Sequence, residues 1–252
     1  MLFYVIIING GVVMKRNKKI HTPTILFVVL VAVSLFIGIV PDAEDKINSI
    51  IRGEEAVNSL EEIPDFSGIP FIEINRNIPV FDESDITEES FEIYGELDAL
   101  GRCTKAFANV SRDTMPEEER EPINEVVPTG FINKEYDFIE NGYVYNRCHL
   151  IGFQLTGENA NERNLITGTR YMNIEGMLPI ENKIADYISE TGNHVLYRVT
   201  PVFEGVDLVA KGVQIEACSV EDEGRDICLN VFVYNVQPGV FIDYLTGETK
   251  EQ

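Results

Sequence analysis

The stretch from Tyr143 to Gly192 constrains this chain more than any other. Tyr143, Val144 and Tyr145 read as the end of a strand, and Gly152 to Arg163 is polar and rich in Gly and Asn, so it reads as a loop. Pro179 then opens a helix whose Ile180, Ile184, Ala185 and Ile188 form one apolar face, and Gly192 closes it. The unit is strand, long loop, helix. It sets His149 just past a strand, Asn173 before the helix and Glu181 in its first turn.

Around this unit the chain is rich in strands. Phe71 to Arg76 alternates and predicts a strand followed by a turn, and Cys103 to Val110, His194 to Thr200, Val206 to Cys218 and Ile227 to Asn235 also read as strands. Thr87 to Tyr94 is expected as a short helix, and the acidic stretch Met115 to Glu121 as a solvated loop. The sum is an α+β fold, a central antiparallel sheet with the strand-loop-helix unit against it.

With 252 residues, 44% of them hydrophobic, the chain can build one sizeable domain plus a short extra segment. The first 40 residues hold no acidic residue, and Lys15, Arg16, Lys18 and Lys19 precede an apolar run from Ile25 to Val40. That run of about 16 residues lies between a signal core and a full membrane span. No A-x-A site follows it, so an uncleaved anchor is favoured over a cleaved signal. Either way the acidic remainder is expected outside the membrane. Met14 also begins an ordinary signal, so the start stays open between Met1 and Met14. The expected organisation is a signal or membrane anchor at 1–40, an acidic linker at 41–62 and a globular domain at 63–252. Of the four cysteines, Cys218 and Cys228 flank an acidic turn between two strand-like runs, which places them near each other across a hairpin. A disulfide and two free thiols are both open.

The central stretch resembles the sugar-nonspecific DNA/RNA endonucleases, in particular their bacterial DNA-entry nuclease branch. That family carries D-R-G-H, then an asparagine before a helix and a glutamate eight residues on. Here the pattern reads Asn146-Arg147-Cys148-His149, Asn173 and Glu181. I-P-D-F-S-G-I-P-F-I-E-I-N near Ile63, L-D-A-L-G-R-C at Leu97 and V-Y-N-V-Q-P-G-V near the C-terminus extend the likeness over roughly 63–247. The resemblance implies the ββα-metal (His-Me finger) fold and makes 63–252 a nuclease domain. Two positions depart from the pattern: Asn146 replaces Asp, and Cys148 replaces Gly, where a positive φ would penalise a Cβ.

Phosphodiester hydrolysis needs a base for water, stabilisation of the phosphorane charge and neutralisation of the leaving oxygen. The resemblance implies that His149 is the general base, a role that an imidazole can fill near neutral pH. Asn173 resembles the single protein ligand of a water-rich Mg²⁺, with Mn²⁺ as an alternative, and Glu181 would hold a metal-bound water. Helix capping is the other reading of Asn173, and helix-dipole stabilisation that of Glu181. Arg147 is expected to point away from His149, to a carboxylate or to a phosphate. Arg170, Arg163 and Arg102 are candidate phosphate contacts. Asn164 is a candidate substrate contact or a brace of the loop.

The reading is an exported, membrane-tethered or secreted, metal-dependent endonuclease on DNA, and on RNA as a further substrate. A surface nucleic-acid-binding protein with a degenerate site, and a toxin nuclease delivered to competitors, are the alternatives. The net charge is −22, and −26 beyond residue 40 once the four basic residues before it are set aside. A uniform charge of that sign repels DNA. Residues 141–184 are instead neutral, with Arg147, Arg163, Arg170 and Lys183 against Glu158, Glu162, Glu175 and Glu181.

Overall fold

The computed structural model describes residues 3–8, 11–16, 57 and 59–252. Strands β1 (Phe3–Ile8) and β2 (Gly11–Arg16) pair as an antiparallel hairpin. The apolar run from Ile25 to Val40 and most of the acidic linker lie outside the described residues, and the expectations placed on them do too. Among the described residues, no helix is long and apolar enough to cross a membrane.

Residues Ala56–Gln252 form one compact unit. Its centre is a six-stranded sheet made of β3 (Phe71–Glu73), β4 (Phe91–Tyr94), β5 (Ala106–Val110), β8 (Val195–Val202), β9 (Gly212–Ser219) and β10 (Cys228–Tyr234). The spatial order is β3-β10-β9-β8-β5-β4, and every pair is antiparallel. Two hairpins stand apart from it: β6 (Tyr145–His149) with β7 (Leu165–Thr169), and β11 (Val240–Ile242) with β12 (Thr249–Glu251). The central strands are β-branched and aromatic, residues that suit a pleated, packed surface. Their two-residue period sends Ala106, Ala108, Tyr197, Val199, Val213, Ile215, Val231 and Val233 to one face.

That face is covered by helix α2 (Leu178–Thr191), through Ile180, Ile184 and Ile188, the stripe visible in the sequence. A wide π-helical turn, Met172–Met177, runs directly into it. Gly192 ends the helix at φ 76°, with its N–H returned to the Ile188 carbonyl at 2.8 Å. Arg112 adds a cation there by donating to the Ser189 carbonyl at 2.5 Å. On the opposite face Arg198 and Glu216 pair at 2.6 Å under Val80 and Phe81.

Three sequence expectations change. The strand expected to end at Tyr145 begins there instead and runs to His149 as β6. The segment expected as a helix at 87–94 ends in strand β4. Phe91 packs edge-on against Phe107 at 5.0 Å, and the sheet edge wins over weak local helix preference. The loop expected to run up to the helix instead holds a four-residue helix α1 (Phe153–Thr156) and then β7, which closes a hairpin on β6.

Candidate active site

His149 is the last residue of β6 and is 7% exposed. Its Nε2 lies 2.8 Å from the Asn159 carbonyl. A carbonyl can only accept, so Nε2 carries the hydrogen and Nδ1 holds the lone pair. The Arg120 guanidinium stands on that side, with Nη2 3.4 Å from Nδ1. Burial pushes the imidazole down to about 4; the Asn159 carbonyl opposes that shift and the Arg120 charge adds to it. His149 is therefore neutral, with one defined tautomer, throughout the physiological range.

The loop after β6 is braced from within. Asn164 is fully buried; its Oδ1 accepts from the Ile151 N–H and its Nδ2 donates to the Ile151 carbonyl, both at 3.0 Å. Asn159 donates to the Glu121 carbonyl at 3.1 Å, which ties the far end of the loop to the acidic segment beyond Thr114. Thr114 donates in turn to the Leu155 carbonyl at 2.7 Å. The segment is the exposed loop that the sequence predicts, and it lines a cavity of about 310 Å³ with Phe153, Gly157 and Asn159.

Glu181 sits in the first turn of α2 and is buried. Its Oε1 accepts the Gly152 N–H at 2.9 Å. A Cβ at Gly152 would strike this carboxylate, so glycine is required there for the close approach. Burial pushes the acid up to about 7, against the lowering effects of the Gly152 N–H, Gln154 and Arg120. Arg120 is itself exposed, and its charge lowers the pKa of Cys148, His149 and Glu181 alike. Beneath them, on β8, the Tyr197 hydroxyl is buried with no hydrogen-bond partner among the described residues and feels the charge of Glu181.

Asn173 lies inside the π-helical turn. No side chain caps that turn or α2, so the capping reading of Asn173 fails. Its Oδ1 accepts the Cys148 thiol at 3.4 Å. Position 148 is an ordinary strand residue with no positive φ, so the Cys in place of Gly costs no strain. The room is made across the hairpin by Gly168, where a Cβ would strike Cys148 and Met172.

Arg147 is placed differently from the sequence expectation. Residues two apart on a strand share a face, so alternation does not send it away from His149. Nε donates to the Val126 carbonyl at 2.6 Å, Nη2 to Asn124 at 3.2 Å, and the guanidinium lies 4.5 Å over Phe131. It braces the 124–131 loop, with its donors turned to protein. Arg102 is similarly committed, to Asp98 at 2.7 Å, to the Gly205 and Asp207 carbonyls, and over Phe203. Asn164, used up on Ile151, is a brace and not a substrate contact. Arg163 pairs with Glu96 at 2.9 Å and Arg170 with Glu140 at 2.7 Å; the two carboxylates are largely exposed, so these pairs contribute little and open readily. Arg120 and Asn159 are the residues that sequence reasoning missed. Arg120 sits in E-E-E-R-E, a run whose composition signals solvent.

Among the described residues no three His, Cys, Asp or Glu side chains gather as a metal cage. The oxygens present are the Asn173 amide, which accepts one weak thiol bond, and the Glu181 carboxylate, which no cation neutralises by contact. Such a sparse oxygen set suits a hard divalent ion that keeps most of its waters.

Residues 82–221 match the family described as DNA/RNA non-specific endonuclease. A deoxyribonuclease of Streptococcus dysgalactiae subsp. equisimilis is 30% identical over 127 residues, which is 48% of this chain and 36% of that protein. The chain thus spans about a third of the length of this relative. The fold is similar to that of NucA from Streptococcus agalactiae with magnesium ion bound, at TM-score 0.64 and 24% identity, over 74% of this chain and 91% of that one. It is also similar to Sda1 nuclease with bound zinc ion, at TM-score 0.58 and 29% identity, over 64% and 81%.

Proposed function

The chain belongs to the DNA/RNA non-specific endonuclease family, and from that premise we propose that it is a metal-dependent endonuclease cleaving DNA, and RNA as a further substrate, with His149 as general base. The observation that carries this is the geometry of His149: Nε2 lies 2.8 Å from the Asn159 carbonyl, which leaves the lone pair on Nδ1, 3.4 Å from the Arg120 guanidinium. A phosphate drawn to Arg120 is drawn to the base. Nδ1 takes the proton of the attacking water, and the Asn159 carbonyl steadies the imidazolium that forms. Arg120 supplies positive charge to the phosphorane.

Asn173 is the residue that would hold a divalent metal, Mg²⁺ with Mn²⁺ as an alternative, and Glu181 would orient its water. When bound, such an ion would supply positive charge to neutralise the leaving oxygen. The magnesium bound in the similar NucA structure and the zinc bound in Sda1 nuclease support a divalent ion here. We further propose residues 1–40 as an anchor or signal, 41–62 as an acidic linker, and action at the outer face of the membrane or after release. The basic start and acidic remainder support this placement.

Closed circular plasmid, which has no ends, tests the proposal. The purified protein with Mg²⁺ should nick and linearise it, EDTA should stop this, and His149→Ala should be inert. Attack on linear but not circular DNA would remove the endonuclease reading.

A further inference from the structure

Cys218 and Cys228 face each other in the register of β9 and β10. The ladder fixes which kind of pair they are. Ser219 N–H donates to the Ile227 carbonyl and Asn235 N–H to the Lys211 carbonyl, both at 2.9 Å. Residues 211 and 219 therefore occupy hydrogen-bonded positions, and 218, one step away, is in a non-hydrogen-bonded pair. Such pairs bring opposite Cα atoms to about 4.5 Å, within the disulfide range. Both sulfurs also lie on the same side of the turn: a Cβ built at Gly224 falls 3.0 Å from the Cys218 Sγ and 3.8 Å from the Cys228 Sγ. The thiols are free in this structure, Cys218 half-buried and Cys228 exposed, whereas Cys103 and Cys148 are buried and apart from them.

We propose that Cys218 and Cys228 form a cross-strand disulfide that clamps the hairpin end against helix α2. The turn they would close is anchored at Asp222. Ser219 donates to Asp222, as do the N–H groups of Gly224, Arg225 and Asp226. Tyr187 of α2 donates to the same carboxylate at 3.1 Å. The clamp therefore acts on the helix that carries Glu181. It forms by exchange with a small disulfide oxidant such as oxidised glutathione. The exposed Cys228 thiolate attacks the oxidant and releases one thiol. The Cys218 thiolate then attacks the mixed disulfide at Cys228 and releases the second. One S–S bond forms and one breaks, and the two protons and two electrons leave with the released thiols.

The test is to incubate the purified chain in oxidised glutathione, then map peptides without reduction and follow thermal unfolding. The expected result is a single intramolecular 218–228 link, loss of two hydrogens in mass, and a Tm about 5 °C higher that returns to its starting value in dithiothreitol. Cys218→Ser and Cys228→Ser should each abolish the link and the gain. Stable glutathionylation of Cys228, intermolecular dimers through Cys228, pairing with Cys103 or Cys148, or a link that leaves Tm unmoved would each overturn the proposal. Peptide mapping of the wild-type chain decides the pairing even if a serine variant folds poorly.

Discussion

His149 and Glu181 lose their water to the same cluster and are pushed in opposite directions, the imidazole down to about 4 and the carboxyl up to about 7. The imidazole is therefore unprotonated at neutral pH, as the proposed base must be. His149→Ala should cut plasmid cleavage by about 10²- to 10⁴-fold while the fold is retained, and a variant retaining a tenth of the wild-type rate would remove the base assignment. Arg120 is the sharper test, because two readouts must move together. Arg120→Ala deletes the cation proposed to meet the phosphate, so cleavage should fall by about 10²-fold. It also deletes a charge that holds His149 down, so the acid limb of the rate profile shifts to higher pH. A fall in rate with a fixed acid limb would mean that Arg120 does not face the imidazole in solution.

At the level of elements, α2 and β8 carry a cost that the site explains. Glu181's folded pKa lies above its unfolded value near 4.5, so below pH 4.5 both states are protonated and no penalty exists. As pH rises through 4.5 to 7 the unfolded chain ionises first, and stability falls by about 3 kcal/mol for the metal-free protein. Glu181→Gln keeps the acceptor for Gly152. It should raise the Tm of metal-free protein at pH 8 and give no gain at pH 4.5; an equal gain at both pH values would show that the carboxyl is not the cause. Tyr197→Phe removes a buried hydroxyl without a protein partner, so it should be neutral or stabilising by about 1 kcal/mol in denaturant unfolding, and a loss above that would show the hydroxyl in use. The sequence made α2 legible because its stripe, Pro179 and Gly192 are local signals, and the sheet legible because β8, β9 and β10 alternate. The hairpin partner β7 was not, since L-I-T-G-T is short, holds a glycine and declares itself only by pairing with β6. Arg120 was hidden for a related reason: what makes it matter is contact with residues 29 or more positions away, while its neighbours are all acidic.

The whole molecule sets how strongly it can hold a polyanion. Beyond residue 40 the net charge is −26, and the basic residues near the centre are mostly spent. Arg147 and Arg102 face carbonyls and Asp98, and Arg163 and Arg170 meet Glu96 and Glu140. Arg120 is the cation set against His149, and a bound divalent ion would add a second positive centre beside it. Nucleic acid should therefore be gripped over a short footprint, through a few phosphates and in a metal-dependent way. Each neutralised phosphate contributes roughly −0.9 to the log–log slope of affinity against salt, so two or three contacts give a slope of about −2 to −3. The measurement is duplex binding by the His149→Ala variant across a KCl series with Ca²⁺ or Mg²⁺ present. Opening of the Arg163 and Arg170 pairs onto phosphate would carry the slope to about −4, which is still shallow. A slope steeper than about −6, or affinity unchanged in EDTA, would require a broad basic surface that the arginines' partners leave no room for.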